Sequence, residues 1–387
     1  MTRPIYLDYA AATPIDPRVL QVMQPFFSDQ FYNPSSPYLA AKGVKRDVED
    51  ARARVAHWLG VRPVEVVFTA GATESIGIAL HGVVRQFKDA HIVYGAIEHD
   101  AVRRTAQEYD HTEVPVLPTG LIDLKDLKNA INDRTALVSI GYANNEIGVV
   151  QPIKDIANVI AQIKLQRQKD GNNLPLYLHT DASQVPAYLD IHMSRLGVDL
   201  ITLNGGKIYG PKQTGALGIK TGVKLLSFMT GGGQESGLRS GTENVAGVVG
   251  FAAALDIAQQ NRKNLAVEHA AMRDELQRRL TDVLSQTLIN GCQRKRLPNS
   301  LHVSWPGVDG ERLVMLLDEH GVMVSTGSAC AANKQTESHV LVAIGLDEAA
   351  RHGSLRLSIG LHTTQQQIKD ASDIIIKDVI HLLENKL

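Results

Sequence analysis

One of the two cysteines in this chain of 387 residues has an unusual setting. Cys330 lies in VMVSTGSACAAN (322–333), where Ser, Thr, Gly and Ala surround the thiol. A structural cysteine is usually found among bulky apolar side chains, because a buried thiol behaves as a small hydrophobe. Small and polar neighbours instead favour an accessible thiol, and access together with thiolate character makes a cysteine reactive. The setting therefore predicts a reactive Cys330, whereas Cys292 in NGCQRKR has no comparable surroundings.

Five short, mostly apolar runs are typical of strands that are buried in a parallel sheet. They are EVVF (65–68), HIVYGA (91–96), TALVSIGY (135–142), LPLYLHT (174–180) and DLITLN (199–204). Helix-like segments lie between them, and the apolar spacing over 44–59 predicts an amphipathic helix. Alternating strands and helices predict an α/β fold, in which ligands bind beyond the carboxyl ends of the strands.

The residues that directly follow these strands are the candidates for chemistry. TAGATES (69–75) opens a helix, so its backbone N–H groups and the Thr73 hydroxyl could bind a phosphate, although a plain helix cap is the alternative. Asp181 ends a buried run and is expected to face a cationic partner, because an unpaired buried charge is costly. An iron site at His179 and Asp181 is a weaker alternative, since no second histidine has suitable spacing. Lys207 follows DLITLN, and burial there would favour the neutral amine that Schiff-base chemistry needs, unless it is an exposed loop lysine.

Together these groups match the needs of one cofactor. Pyridoxal phosphate requires four things of its site: a phosphate cradle, a side-chain ring that stacks on the cofactor ring, a carboxylate for the pyridinium nitrogen and a lysine for the Schiff base. The chain offers a phosphate-type turn at Thr73, an imidazole at His99, a carboxylate at Asp181 and an amine at Lys207. We therefore predict a pyridoxal phosphate site at the carboxyl edge of the sheet.

The chain also resembles the cysteine desulfurases of the NifS/IscS-like type, within the class-V aminotransferase group of fold-type I enzymes. The resemblance runs from YLDYAAATP (6–14) to GSLRLSIG (353–360) and includes FTAGATES, EHDAV, NNEIGVVQPI, HTDASQ, GGGQESGLRSGTEN and STGSACA in that order. It implies an α/β, fold-type I PLP-dependent transferase: a large domain with a mainly parallel seven-stranded sheet flanked by helices, plus a smaller α+β domain. We assign 14–255 to the large domain, and 1–13 with 256–387 to the small domain that carries the catalytic cysteine.

The resemblance implies a role for each site residue. Those matched to the cofactor are Ala72 and Thr73 (phosphate turn), His99 (ring stacking and acid–base work), Asp181 (pyridinium nitrogen), Gln184 (ring hydroxyl), Lys207 (Schiff base) and Thr242 (phosphate of the neighbouring subunit). Those matched to the substrate are Asn145 and Arg356 for its carboxylate and Cys330 for its sulfur. The role of Thr242 implies a homodimer.

The chain departs from the family just before the lysine. The family has Ser-x-His there, with both side chains on the phosphate, whereas this chain has Asn204-Gly205-Gly206. We expect the Asn204 amide and the backbone N–H of Gly206 to replace them, because glycine allows close approach of the backbone. Loss of two side-chain ligands nevertheless predicts that the cofactor is retained less firmly.

The activity that the resemblance implies is removal of sulfur from L-cysteine. The products are L-alanine and a persulfide on Cys330, which passes to an acceptor such as an iron–sulfur scaffold or a thiolation enzyme. A selenocysteine lyase, or another β-elimination lyase of the same fold, is an alternative that differs in whether Cys330 is needed. A catalytically degenerate dimeric scaffold is a further alternative, although a binding module has no use for Lys207, Asp181, His99 and Cys330 together.

Composition limits the possible partners and location. The formal net charge of −1 gives no reason to expect nucleic acid or an anionic membrane surface as a partner. Pro4 and Asp8 interrupt the apolar stretch that a signal peptide needs, and VAGVVGFAAAL (245–255) is too short to span a membrane. We therefore expect a cytoplasmic protein with free thiols and no metal.

Overall fold

The computed structural model describes residues 4–227, 229–327 and 337–384. The strands in these ranges are β1 (Ile5–Tyr6), β2 (Val66–Thr69), β3 (His91–Gly95), β4 (Asp110–Val114), β5 (Thr135–Ser139), β6 (Tyr177–Asp181), β7 (Leu200–Asn204), β8 (Gly215–Ile219), β9 (Leu288–Ile289), β10 (Ser300–Ser304), β11 (Val322–Met323) and β12 (Ser354–Ser358). The α-helices are α1 (Pro17–Met23), α2 (Pro25–Ser28), α3 (Leu39–Leu59), α4 (Ala72–Val84), α5 (Asp100–Ala106), α6 (Leu124–Ala130), α7 (Ile153–Lys169), α8 (Met193–Leu196), α9 (Val245–Val283), α10 (Gly310–Glu319), α11 (His339–Ala343), α12 (Glu348–His352) and α13 (Gln365–Glu384). Short 3₁₀ turns cover Pro63–Glu65, Gly205–Lys207 and Glu235–Gly237.

A seven-stranded sheet organises the larger part of the chain, in the order β2-β8-β7-β6-β5-β3-β4. The pairs from β7 to β4 are parallel, and β8 is antiparallel to both of its neighbours. This arrangement confirms the predicted mainly parallel sheet. The five predicted runs correspond to β2, β3, β5, β6 and β7. The other two strands were missed because β4 (DHTEV) is polar and largely exposed at the sheet edge, and β8 (GALGI) is rich in glycine.

Helices cover both faces of this sheet and bury its apolar side chains. The predicted helix over 44–59 is α3, which begins five residues earlier at Leu39 and ends at Gly60 in a left-handed cap. All of its predicted apolar positions are buried: Val44, Val48, Ala51, Val55 and Leu59. All of these except Val44 pack in the core on one face of the sheet, with residues of α7 and the first part of α9, and α4 and α5 pack on the other face.

A second core surrounds the antiparallel sheet β12-β10-β9. It contains side chains from α10, α13 and the last part of α9, and also Ile5 and Leu7 of the N-terminal arm. The arm reaches it because β1 pairs in parallel with β11. Helix α9 crosses the boundary that we assigned at 255/256, so the domain division there stays a prediction. Within the described ranges, none of the helices has the length and apolar character needed to cross a membrane.

Close packing between β8 and the turn before α4 sets the position of that turn. A Cβ added at Gly215 would lie 2.5 Å from the backbone O of Leu203 and 2.8 Å from the Cα of Gly71. Gly71 itself has φ of 123°, a conformation that favours glycine. The turn can therefore lie against the sheet because Gly215 lacks a side chain, and it keeps its shape because glycine at residue 71 tolerates this φ.

Gly215→Ala should consequently destabilise the protein. The methyl group would meet backbone atoms that cannot rotate away, and such overpacking costs about 1–3 kcal/mol of the free energy of unfolding. Urea denaturation measures the change. Gly43→Ala is the matched control, because nothing lies within 4 Å of a Cβ at Gly43 in α3, and glycine-to-alanine replacement inside a helix stabilises by about 0.5–1 kcal/mol. Equal stability of the two variants would contradict the packing argument.

Candidate active site

A cavity of about 290 Å³ lies at the carboxyl ends of the parallel strands. Nine of the predicted site residues line it: Ala72, Thr73, His99, Asn145, Asp181, Gln184, Asn204, Lys207 and Arg356. Gly206 and Thr242 are not among its lining residues. Cys330 lies outside the described residues. The folded chain thus brings together groups that are up to 284 residues apart in sequence, as from Ala72 to Arg356.

Lys207 is held at the cavity wall by the N-terminal arm. Its Nζ donates hydrogen bonds to the backbone O of Ala10 at 2.9 Å and of Ala11 at 2.6 Å. The preceding turn is shaped locally, because Asn204 Oδ1 accepts a hydrogen bond from the N–H of Gly206 at 3.0 Å. Lys207 is half-buried and lines the cavity, whereas Lys212 is exposed. The exposed-loop interpretation therefore applies to Lys212 and is wrong for Lys207.

The carboxylate of Asp181 lies at the end of β6 and faces the same cavity. Its Oδ1 accepts hydrogen bonds from Ser183, 2.9 Å from the backbone N and 2.5 Å from the Oγ. Two residues earlier, His179 is buried, with Nδ1 2.8 Å from Ser139 Oγ and Nε2 3.0 Å from Thr202 Oγ1. Burial lowers the pKa of His179 to about 4. Both ring nitrogens are engaged, which removes the basis for an iron site there.

The first turn of α4 has the properties of an anion site. Gly71 is the N-cap, and no side chain caps the helix. Ala72 and Thr73 of this turn line the cavity. A helix N-terminus favours a phosphate because its first N–H groups lack partners within the helix and its dipole is positive there. The plain-cap alternative requires a capping side chain, which this helix lacks.

His99 lies at the start of the neighbouring helix α5. Its Nδ1 accepts a hydrogen bond from the backbone N of Ala101 at 3.1 Å, so that the ring caps the helix. A neutral imidazole that accepts at Nδ1 carries its proton on Nε2. The imidazole is therefore fixed in position and tautomer at the cavity wall.

Arg356 brings the second core to the cavity. Its side chain is only 2% exposed, and its Nη2 donates to Asp8 Oδ1 at 2.7 Å. Nη1 donates to the backbone O of Asn145 at 3.3 Å, and the buried Nε has no hydrogen-bond partner among the described residues. A guanidinium held in this way suits a carboxylate ligand. Sequence reasoning missed Asp8, because only the pairing of the N-terminal arm places it beside residue 356.

Glu98 is a second residue that sequence reasoning missed. It lines the cavity and is 5% exposed, in a niche between Gly95 and Gly141 where added Cβ atoms would lie 3.0 Å from its oxygens. Burial raises the pKa of its carboxyl to about 8, the N–H of Gly141 at 2.8 Å opposes this, and Asp181 adds to it. The available signal was a charged residue directly after a buried strand.

Comparison with known proteins places the chain in a family. Residues 5–370 match the family described as Aminotransferase class-V. The chain belongs to this family. Like the other class-V aminotransferases and their cysteine desulfurase relatives, it depends on pyridoxal phosphate.

One sequence relative and two solved structures are similar to this class-V aminotransferase over nearly the whole chain. The protein named Cysteine desulfurase IscS from Clostridium botulinum is 39% identical over 386 residues, which cover 97% of this chain and 94% of that protein. A solved structure titled NIFS-LIKE PROTEIN has a TM-score of 0.90 and 33% identity, covering 98% of this chain and 100% of its own. A structure titled SspA in complex with cysteine has a TM-score of 0.78 and 32% identity. The match covers 93% of this chain and 100% of the chain in that structure.

The residues around the cavity fit pyridoxal phosphate. The uncapped start of α4 suits the phosphate, Asp181 suits the pyridinium nitrogen, and the Lys207 amine faces the same space. The bound cofactor supplies an electron sink for a negative charge that develops on the Cα of an amino acid. Roles for Asn204 and Gly206 at the phosphate stay predictions, and the oxygen of the Asn204 side chain is already hydrogen-bonded within its own turn.

The raised pKa of Glu98 predicts how stability depends on pH. In the unfolded chain a glutamate titrates near 4.3, so the folded state binds more protons than the unfolded state between about pH 4.5 and about pH 8. The contribution of Glu98 to stability is therefore present at low pH and is lost as the pH rises toward 8. Glu98→Gln cannot ionise, and its amide oxygen can still accept from Gly141. Relative to the parent, this variant should gain about 4 kcal/mol of unfolding free energy between about pH 5 and pH 8.5.

Urea denaturation across this pH range measures the difference. The exposed Glu319→Gln is the control and should show no comparable trend. A constant difference between Glu98→Gln and the parent at all pH values would show that Glu98 does not titrate as its burial requires.

Proposed function

We propose that this protein is a pyridoxal-phosphate-dependent cysteine desulfurase, which removes sulfur from L-cysteine and releases L-alanine. The observation that carries the proposal is the meeting of Lys207 Nζ, the Asp181 carboxylate and the Arg356 guanidinium in one cavity of a class-V aminotransferase chain. Similarity to Cysteine desulfurase IscS over 97% of the chain supports it. The cysteine complex of a structure 32% identical to this chain supports L-cysteine as the substrate.

Each residue has a task that follows from its position. Arg356, with an unpartnered Nε, binds the substrate carboxylate, and Asn145 next to it helps to orient the amino acid. The Lys207 amine is the base that removes the proton from the substrate Cα, and His99 carries a proton on Nε2 as the second acid–base group. Asp181, Gln184, Ala72 and Thr73 hold the cofactor.

The sulfur passes to Cys330. A bond forms between the Cys330 sulfur and the substrate sulfur, and the bond between the substrate Cβ and its sulfur breaks with the electron pair going to Cβ. Cβ takes a proton, so that L-cysteine and the thiol give L-alanine and a persulfide. Cys330 is three residues from Gly327, and three residues of chain span at most about 11 Å. Gly327 packs beside Glu146, whose neighbour Asn145 lines the cavity.

The persulfide then goes to an acceptor protein, such as an iron–sulfur scaffold or a thiolation enzyme. We also propose a homodimer in which Thr242 serves the phosphate site of the neighbouring subunit. Thr242 is exposed and does not line the cavity of its own chain. Phe27 and Phe31 are 62% and 67% exposed, which suits burial against a second copy. The cytoplasmic location stays a prediction.

Replacing the lysine should abolish turnover. Lys207→Ala removes the base, and loss of a general acid–base group lowers a rate by roughly 10²–10⁴-fold. Release of alanine from L-cysteine, measured with excess pyridoxal phosphate, tests this. Lys212→Ala is the matched control because Lys212 is an exposed lysine five residues away. Parental alanine release by Lys207→Ala would show that another group does this work.

Replacing the cysteine separates desulfurase from selenocysteine lyase. Cys330→Ser should still show the change in cofactor absorption on adding L-cysteine, because the groups that bind the substrate remain. It should form no protein persulfide and release alanine at least about 10²-fold more slowly, because the nucleophile is lost. Cys292→Ser is the control and should behave as the parent. Undiminished turnover of selenocysteine by Cys330→Ser would instead favour the lyase.

A further inference from the structure

Glu146 is a buried carboxyl in the wall next to Asn145. It is 2% exposed and belongs to a tight turn after β5. The Asn144 side chain holds this turn, since its Oδ1 accepts from the N–H groups of Glu146 and Ile147, both at 2.9 Å. Its Nδ2 donates to the backbone O of Ile97 at 2.8 Å. These bonds hold the backbone that bears Glu146 against the segment that follows β3.

The two stretches that flank residues 328–336 both lie close to this carboxyl. On the downstream side, Ser338 Oγ donates to Glu146 Oε2 at 2.5 Å. On the upstream side, a Cβ added at Gly327 would lie 3.4 Å from the same oxygen. Glu146 is thus hydrogen-bonded to the downstream flank and lies beside the upstream flank, although 181 residues separate it from Gly327 and 192 from Ser338.

Ser338 has a second function in the downstream flank. It is the N-cap of α11, and its Oγ also accepts from the N–H of Leu341 at 3.3 Å. The hydroxyl therefore donates to Glu146 while it accepts from the helix. Helix α11 is further fixed because Val340 and Leu341 pack in a small apolar cluster with Ile97 and Ile147.

Each flank is also tied to a residue of the active site. The backbone N of Arg356 donates to the backbone O of Ser325 at 2.7 Å, which joins the upstream flank to β12. His339 Nε2 donates to the backbone O of Glu98 at 2.9 Å, next to His99. A buried carboxyl without a bonded cation is costly, and the Ser338 hydroxyl offsets part of that cost. Nothing in the cofactor or substrate roles assigned above accounts for retaining this carboxyl.

We propose that Glu146 and Ser338 are positioning residues whose hydrogen bond anchors the downstream flank of the segment 328–336 at the cavity wall, beside the upstream flank at Gly327. The bond sets the position of Ser338 at the wall, and the bond from Arg356 to Ser325 sets the position of the upstream flank. Fixing both ends reduces the entropy that is lost when the thiol meets the substrate sulfur. This inference deepens the proposed function and rests on it.

The test compares hydroxyl variants of the holoenzyme. Ser338→Ala should slow persulfide formation on Cys330 by about 10-fold or more, measured by rapid quenching and mass spectrometry of the thiols. The L-cysteine concentration that gives half of the change in cofactor absorption should stay within about twofold, because Arg356 and Asn145 are untouched. Ser338→Thr keeps the hydroxyl and should restore the rate to within about threefold of the parent.

Two further variants keep the test specific. Ser372→Ala removes a buried hydroxyl that donates to Ile368 O at 2.5 Å in α13, away from the cavity, and should leave the persulfide rate unchanged. Glu146→Gln keeps an oxygen that can accept from Ser338 and should slow the rate less than Ser338→Ala. Equal persulfide rates in Ser338→Ala and Ser372→Ala would overturn the proposal. So would a loss of rate in Ser338→Ala that is matched by weaker substrate binding.

A readout that needs no turnover separates this inference from the proposed function. Alkylation of Cys330 by iodoacetamide, without L-cysteine, should be at least about threefold faster in Ser338→Ala, because loss of the bond releases the downstream flank from Glu146. Cys292 in the same molecules is the internal control and should react at the parental rate. An unchanged ratio of the two thiol reactivities would contradict the positioning role. Failure of the parent to form a persulfide on Cys330 would instead contradict the desulfurase function, and the alkylation ratio would still decide the role of Ser338.

Discussion

The carboxyl ends of the parallel strands meet at one edge of the sheet, and the arrangement of the site follows from that constraint. Strands β5, β6 and β7 are buried on both faces, so polar side chains within them pair with each other, as His179 does with Thr202, and the one charged residue, Asp181, lies where its strand ends. Asp181 and Asn204 are the last residues of adjacent strands, and Lys207 follows within one turn. Because the strands run in the same direction, these residues become neighbours without any further requirement on the sequence between them.

The sheet edge supplies only part of the cavity, and the N-terminal arm completes it. The arm contributes carbonyl acceptors for the Lys207 amine and the carboxylate of Asp8 for Arg356. It reaches both because β1 pairs with β11, whose Val322 packs in the second core. One short segment therefore orients the Lys207 amine of the large core and the Arg356 guanidinium of the small core. Any shift of the arm would change both groups at once.

Two buried carboxyls, Glu98 and Glu146, lie in the wall without a bonded cation among the described residues. For each of them burial is the largest cause of a raised pKa. A carboxyl that is kept from water must be satisfied by neutral donors, and here the donors are the Gly141 N–H and the Ser338 hydroxyl. Both carboxyls connect elements that are distant in sequence. Burial of these two carboxyls lowers the stability of the fold, and what it provides is contacts that shape the wall of the site.

The sequence by itself determined the parallel strands, the helix over 44–59 and the strand-end positions of His99, Asp181 and Lys207. Apolar runs and periodicities are local patterns, and the end of a buried strand is where a charged residue stands out. Only the tertiary structure decided β8, where glycine leaves no apolar pattern, and the pairing of Asp8 with Arg356, 348 residues apart. The same holds for the niche of Glu98 and for the contact of Glu146 with Ser338. These contacts depend on how separate elements pack, and no local pattern of side chains encodes which distant backbone will lie beside a given carboxylate.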